Sequence, residues 1–84
     1  MNTIKITRAT KNYFPKHLHP HLEHMACAYR QAIRDTLNAM RNLPERDTQY
    51  INEVAASLEV TDSLSLLKGD FVTKNIDLFV SEGN

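Results

Sequence analysis

Apolar side chains return every three or four positions through most of this chain. Leu22, Met25, Tyr29, Ile33, Leu37 and Met40 fall on one stripe, the period of an amphipathic helix. The spacing predicts a helix over residues 20–42, with Pro20 in its first turn, where a missing N–H removes no bond. Ala28, Ala32 and Ala39 give the same helix a second, narrower and smooth face. Leu43-Pro44 ends it, because proline disfavours helical geometry at the residue before it. A second helix is predicted over residues 47–59, capped by Asp47 or Thr48, with Tyr50, Ile51, Val54, Ala55 and Leu58 on its buried side. Thr61-Asp62-Ser63 offers cap chemistry for a third, over residues 63–80, whose stripe is Leu64, Leu67, Phe71, Val72, Ile76, Phe79 and Val80. Gly69 inside that stripe costs about 1 kcal/mol relative to alanine and marks a place to kink.

Residues 1–19 lack this period. Ile4 and Ile6 alternate briefly, but a lone strand has no partner to pair with, and Pro15 and Pro20 interrupt any helix. The pattern therefore predicts a loose N-terminal arm over residues 1–19, one helical domain over 20–80 and a frayed tail over 81–84. Tyr13 and Phe14, adjacent aromatics in a polar arm, are expected to pack back on the body. The fold class is all-α, a three-helix unit. A chain of 84 residues buries a modest fraction of its surface and is marginal alone. A first helix of about 33 Å outruns the cover one short helix can give it. Both points favour a symmetric helical homodimer, with Tyr29, Ile33, Leu37 and Met40 near or in the interface, over the alternative of a monomer in which the second and third helices cover both faces of the first.

Composition narrows the function classes. Hydrophobic residues at 42% and charged at 24% are globular values, and two glycines leave no phosphate-cradling loop. No apolar run approaches a membrane span, the first residues lack a signal-peptide core, and one cysteine makes no internal disulfide. The expectation is a cytoplasmic protein with no membrane contact. A net charge of zero hides a polarity: through Arg46 there are eight bases against three acids, +5, and from Asp47 onward two bases against seven acids, −5. Such a chain can offer a basic face to nucleic acid, or an acidic face to a basic partner, or join its own halves.

The candidate chemistry is sparse. His17, His19, His21 and His24 lie within eight residues, with Cys27 three beyond. Their spacing matches no structural zinc pattern, so they read as a solvated, possible pH-sensing cluster, because histidine gains charge on mild acidification. Cys27 has one nearby base, His24, and no orienting third group, so it reads as a small helix side chain. No carboxylate pair is spaced for acid–base work. No catalytic residue, cofactor or metal is therefore assigned, and the chain reads as a non-enzyme. Arg30, Arg34 and Arg41, four and seven residues apart, share one side of the first helix. They are the candidate nucleic-acid contacts, helped by Lys11 and Lys16, though no recognition-helix pattern accompanies them. Glu53, Glu59, Asp62 and Asp70 form the candidate partner surface of the acidic half.

The order of landmarks carries a resemblance. Tyr13-Phe14, Leu22-Glu23, Gln31-Ala32-Ile33, Ser57-Leu58-Glu59, then Leu66-Leu67-Lys68-Gly69-Asp70-Phe71-Val72 and Ile76-Asp77-Leu78-Phe79-Val80 resemble the small bacterial YmgB/AriR family and its YcgZ-type relatives over roughly residues 12–80. The histidine-rich loop, extra residues before Ser57 and Gly69 depart from that pattern. The resemblance implies a cytoplasmic helical homodimer that influences biofilm formation and acid resistance. It would act as a two-component connector on a response regulator or other phosphorelay protein. DNA binding has been proposed for the family, so a nucleoid-type transcriptional modulator using Arg30, Arg34, Arg41 and the basic arm is the alternative. The family has no catalytic motif to transfer.

Overall fold

A computed structural model describes residues 4–80; the frayed tail expected over 81–84 lies outside the described residues. The fold is all-α, and no strand occurs among the described residues. In chain order the elements are α1 (Arg8–Tyr13), a 3-10 helix (Lys16–His21), α2 (Leu22–Met40), α3 (Thr48–Glu59), α4 (Ser63–Lys68), α5 (Asp70–Lys74) and α6 (Ile76–Phe79).

The predicted first and second helices stand, the first of them two residues shorter at each end. Pro15 and Pro20 lack the N–H that an i→i−4 ladder needs. The chain crosses them as a 3-10 turn, with Leu18 N donating to the Pro15 carbonyl at 3.0 Å, and α2 begins at Leu22 rather than at residue 20. Its end tightens before Pro44, where Asn42 N bonds the Ala39 carbonyl at 3.2 Å and Leu43 N that of Met40 at 3.0 Å. In α3 the Asp47 carboxylate accepts from Tyr50 N at 3.2 Å, and Ile51, Val54 and Leu58 are buried.

The predicted third helix is three short ones. Gly69 sits at φ +82°, a left-handed geometry that costs other residues roughly 1–2 kcal/mol. A Cβ there would meet only Tyr29 Oη at 3.8 Å, so backbone geometry, not space, calls for glycine. Asn75 makes the second break: its backbone N and its Nδ2 both donate to the Phe71 carbonyl, at 3.2 Å and 2.9 Å. Each break rotates the following turn. Leu66, Phe71 and Leu78 are buried, while Ile76 and Val80 of the expected stripe stay half exposed.

The N-terminal segment is not loose. Ile4 is buried, Ile6 packs against the core, and Thr10 is wholly enclosed. Thr7 caps α1 by accepting from Thr10 N at 3.3 Å. A chain of hydroxyls then ties this segment to α4: Thr7 Oγ1 to Thr10 Oγ1 at 3.0 Å, Thr10 Oγ1 to Ser63 Oγ at 3.2 Å, and Ser63 Oγ to the Lys5 carbonyl at 3.4 Å. The carbonyl only accepts, so Ser63 donates to it, Thr10 to Ser63 and Thr7 to Thr10. The expected aromatic anchor plays a smaller part. Tyr13 is 57% exposed; its ring meets Phe14 edge-on at 5.0 Å and carries Lys68 Nζ 5.0 Å over its face.

Two of the four expected interface residues lie inside the chain's own core. Ile33 and Leu37 are buried, and Tyr29 and Met40 pack against the same cluster. The expected lack of cover does not arise, because α3, α4 and the N-terminal segment together span α2. The result is a plate of 44 × 30 × 15 Å with a radius of gyration of 14.2 Å, against about 12 Å for a compact chain of this length. A 15 Å Cα thickness is two helix layers, given roughly 10 Å between axes.

Candidate charged surfaces and the α3–α4 cleft

Spacing places Arg30, Arg34 and Arg41 on one side of α2, and that side faces α3. Arg30 Nη2 donates to the Thr61 carbonyl just past the end of α3, while its buried Nε has no partner. Arg34 grips Glu59 as a fork, Nε to Oε2 at 3.0 Å and Nη2 to Oε1 at 2.9 Å. Its Nη1 donates to Gln31 Oε1 at 2.8 Å, and Gln31 Nε2 passes the chain on to Asp35 at 2.8 Å. Arg41 Nε donates to Asn52 Oδ1 at 2.8 Å, and its Nη1 to Asn38. The three arginines staple α2 to α3 and do not form a free phosphate-facing row. Each such exposed bond adds about 1 kcal/mol or less, but the row fixes the antiparallel register: residue 34 lies beside 59, and 41 beside 52.

The expected acidic surface is divided the same way. Glu59 belongs to Arg34, whereas Glu53 stands exposed on α3. Asp62 and Asp70 come together at a cleft of about 200 Å³ with Ser57, Thr61, Ser65, Phe71 and Lys74. Two of the three hydroxyl protons there are spoken for: Thr61 Oγ1 donates to the Ser57 carbonyl at 2.7 Å, and Ser65 Oγ to Asp62 Oδ1 at 2.8 Å. Asp70 has Lys68 Nζ at 3.8 Å. The result is a polar notch in which two carboxylates share the lining with Lys74.

Asp62 is the cap of α4, accepting from Ser65 N at 3.1 Å. The Ser65 hydroxyl and then its N–H hold the Asp62 carboxyl below its ordinary 3.8. With the folded value depressed, the stabilisation is complete above about pH 4 and is lost as pH falls through the folded value. Asp62→Ala should therefore cost about 1 kcal/mol at neutral pH. Asp62→Asn should keep most of the cap and lose the acid-side dependence. Urea melts at pH 7 and pH 3 check this, and identical pH dependence in wild type and Asp62→Asn would refute it. At the other end of the plate, Tyr50 Oη lies 3.3 Å from Asp77. Partial burial, then that carboxylate, raises the Tyr50 phenol above its ordinary value.

The histidine cluster splits in two. His17, His21 and His24 face solvent. His19 is half-buried, and its Nε2 donates to the Phe14 carbonyl at 3.0 Å, clipping the 3-10 turn to the end of α1. Cys27 is half-buried against the core. Among the described residues no three His, Cys, Asp or Glu side chains converge to hold a metal ion, and no helix is long and apolar enough to cross a membrane.

Sequence reasoning gave the N-terminal cations only a supporting place, on a segment it took for a loose arm. Lys5, Arg8, Lys11 and Lys16 are all exposed, and none is paired with a carboxylate among the described residues. Thr7 was the available signal, because threonine is a preferred N-cap residue. It makes the segment a capped helix and so turns a flexible tail into a fixed basic edge. No protein-family model matches the chain, and no curated protein or solved structure shows significant similarity to it.

Proposed function

We propose that this protein is a small non-enzymatic cytoplasmic regulator that works by binding other proteins, beginning with a second copy of itself. The observation that carries the reading is the outer side of α2. Met25, Ala28, Ala32 and Ala39 follow one another in helical register, and all four are exposed, on the broad face of a plate two helices thick. A helix surface of small side chains lets another helix approach closely. In an antiparallel pair crossing at Ala32, Met25 of one copy falls opposite Ala39 of the other. Large meets small on both sides of a two-fold axis, as an isologous contact requires. The interface is thereby moved from the Ile33 and Leu37 side of α2 to its opposite side. The resemblance to the YmgB/AriR family supplies the rest of the proposal: a response regulator or other phosphorelay protein as second partner, approached through Glu53 and the Asp62–Asp70 notch, with biofilm formation and acid resistance as output.

Ala32→Glu tests it. The position is exposed, so the helix content should be unchanged, but two glutamates would meet at the crossing point. Burying them should weaken the dimer by more than about a hundredfold. Light scattering behind a sizing column at tens of micromolar should give a dimer mass for the wild type and a monomer mass for the variant. A monomer mass for the wild type overturns the reading.

A further inference from the structure

We propose that the end of the plate formed by α6 and the α2–α3 loop docks a cationic amphipathic helix of another protein. This contact uses neither the α2 face nor the Asp62–Asp70 notch, and it stands whether or not the chain pairs with itself. Three large apolar side chains are half exposed here: Leu43 at 47%, Ile76 at 49% and Val80 at 50%. Hydrogen bonds bring them to one end of the molecule. Arg46 N donates to the Leu43 carbonyl at 3.2 Å, and Arg46 Nη1 to the Leu78 carbonyl at 3.5 Å, so the loop lies along α6. Val80 N bonds the Ile76 carbonyl at 2.8 Å, which closes one turn and puts both side chains on one face. Leu78 is buried on the opposite side of that turn, so Ile76 and Val80 point outward. The residues that follow, Ser-Glu-Gly-Asn, carry no apolar side chain to cover them.

The rim of this patch is acidic and lacks counter-charge. Asp77 accepts from the Tyr50 hydroxyl at 3.3 Å, and a neutral phenol leaves the carboxylate charge in place. Asp47 accepts from Tyr50 N at 3.2 Å, while partial burial, then Asp77 and lastly Glu53 raise the Tyr50 phenol. Asp47, Glu53 and Asp77 are thus gathered around one tyrosine, and Glu45 stands exposed two residues before Asp47. None of these carboxylates is ion-paired among the described residues. Arg46, the cation between them, is turned to a backbone carbonyl.

The charge pattern decides the occupant. A second copy set on the same patch about a two-fold axis would bring like carboxylates together. Nucleic acid and anionic lipid are repelled for the same reason. A basic segment without apolar side chains would leave Ile76 and Val80 wet. A helix with an apolar pair one turn apart, flanked by lysine or arginine, matches both the face and its rim. Leu43, Ile76 and Val80 receive its apolar side chains, and Glu45, Glu53 and Asp77 its cations.

The probe is a labelled synthetic helix of leucine and lysine, with its leucines on one face, read by fluorescence anisotropy on the full chain. Two companion peptides separate the contributions: serine for leucine keeps the charge, and glutamate for lysine keeps the apolar face. The leucine–lysine peptide should bind at least tenfold tighter than either. Ile76→Ser with Val80→Ser should lower its affinity at least tenfold, whereas Ile76→Val should keep it. Leu43→Ser, outside any helix, should lower it at least threefold. Glu53→Gln with Asp77→Asn should weaken binding and flatten its salt dependence. Asp70→Asn, which alters the notch, and Ala32→Glu, which alters the α2 face, should leave it unchanged. The dimer can therefore fail its own test while the peptide still binds. Circular dichroism confirms that each variant keeps its helices. The proposal fails if the three peptides bind alike, or if the double serine variant and Leu43→Ser bind as well as the wild type. It fails equally if Asp70→Asn weakens binding as much as Glu53→Gln with Asp77→Asn.

Discussion

Ile33→Asp unfolds the protein instead of parting a dimer into folded monomers. Ile33 is 4% exposed and belongs to one cluster with Ala26, Leu37, Leu58 and Leu66. A carboxylate there has no hydrogen-bond partner and loses its water, a cost of several kcal/mol. Domains of this kind have roughly 5–15 kcal/mol of net stability in total, and a short one sits near the bottom of that range. Helical circular dichroism should collapse at 25 °C, and the sizing column should show an expanded or aggregated chain. The neighbouring Ala32→Glu makes the contrast, since a charge added one residue away leaves the helix content untouched. A folded, monomeric Ile33→Asp variant would mean that the stripe faces outward and that the packing described for α2 is wrong.

Removing residues 1–14 gives the second large effect. A loose arm could be cut away freely. Here the cut strips Ile4 from the core, a loss of about 1.5–3 kcal/mol by itself, and opens Ser63, which is 5% exposed and bonded to Thr10 and Lys5, to water. The urea midpoint of the shortened chain should fall by more than about 1 M, and Ile4→Ala should reproduce a good part of the fall. An unchanged midpoint for both would show that the segment does not hold the body together.

Local chemistry was legible in the sequence where each helix declares its own ends. Asp47 at the cap and Ile51, Val54 and Leu58 on one side describe α3 as it stands, because cap and stripe lie within a dozen residues of each other. The third stripe misled for a physical reason. A 3.6-residue count runs straight through Gly69 and Asn75, whereas the backbone turns at each, so Leu66 and Leu78 went inside in place of Ile76 and Val80. The alternation of Ile4 and Ile6 read as a strand without a partner and so as a loose arm, but alternation does not say what side chains rest on, and here both pack on the helical core. The arginines show the same limit. Their spacing puts them on one side of α2, yet Asn52, Glu59 and the Thr61 carbonyl are 11, 25 and 31 residues from the arginines they receive. No local pattern pairs them.

The last third of the chain, α4 to α6, is built from pieces of six, five and four residues, each far below the roughly 12–15 residues at which a helix begins to persist in water. None of them has a helical state of its own. Their backbone order is lent by the surfaces of α2 and α3, and it returns to solvent whenever contact with those surfaces is interrupted. The Asp62–Asp70 notch is carried largely by this borrowed part, so its shape depends on those contacts. Regions of low local stability are where proteins place the elements that respond to partners. Whatever settles in the notch would stiffen α4 and α5 against the body, and the occupancy of one small polar site would be reported as rigidity along a third of the plate.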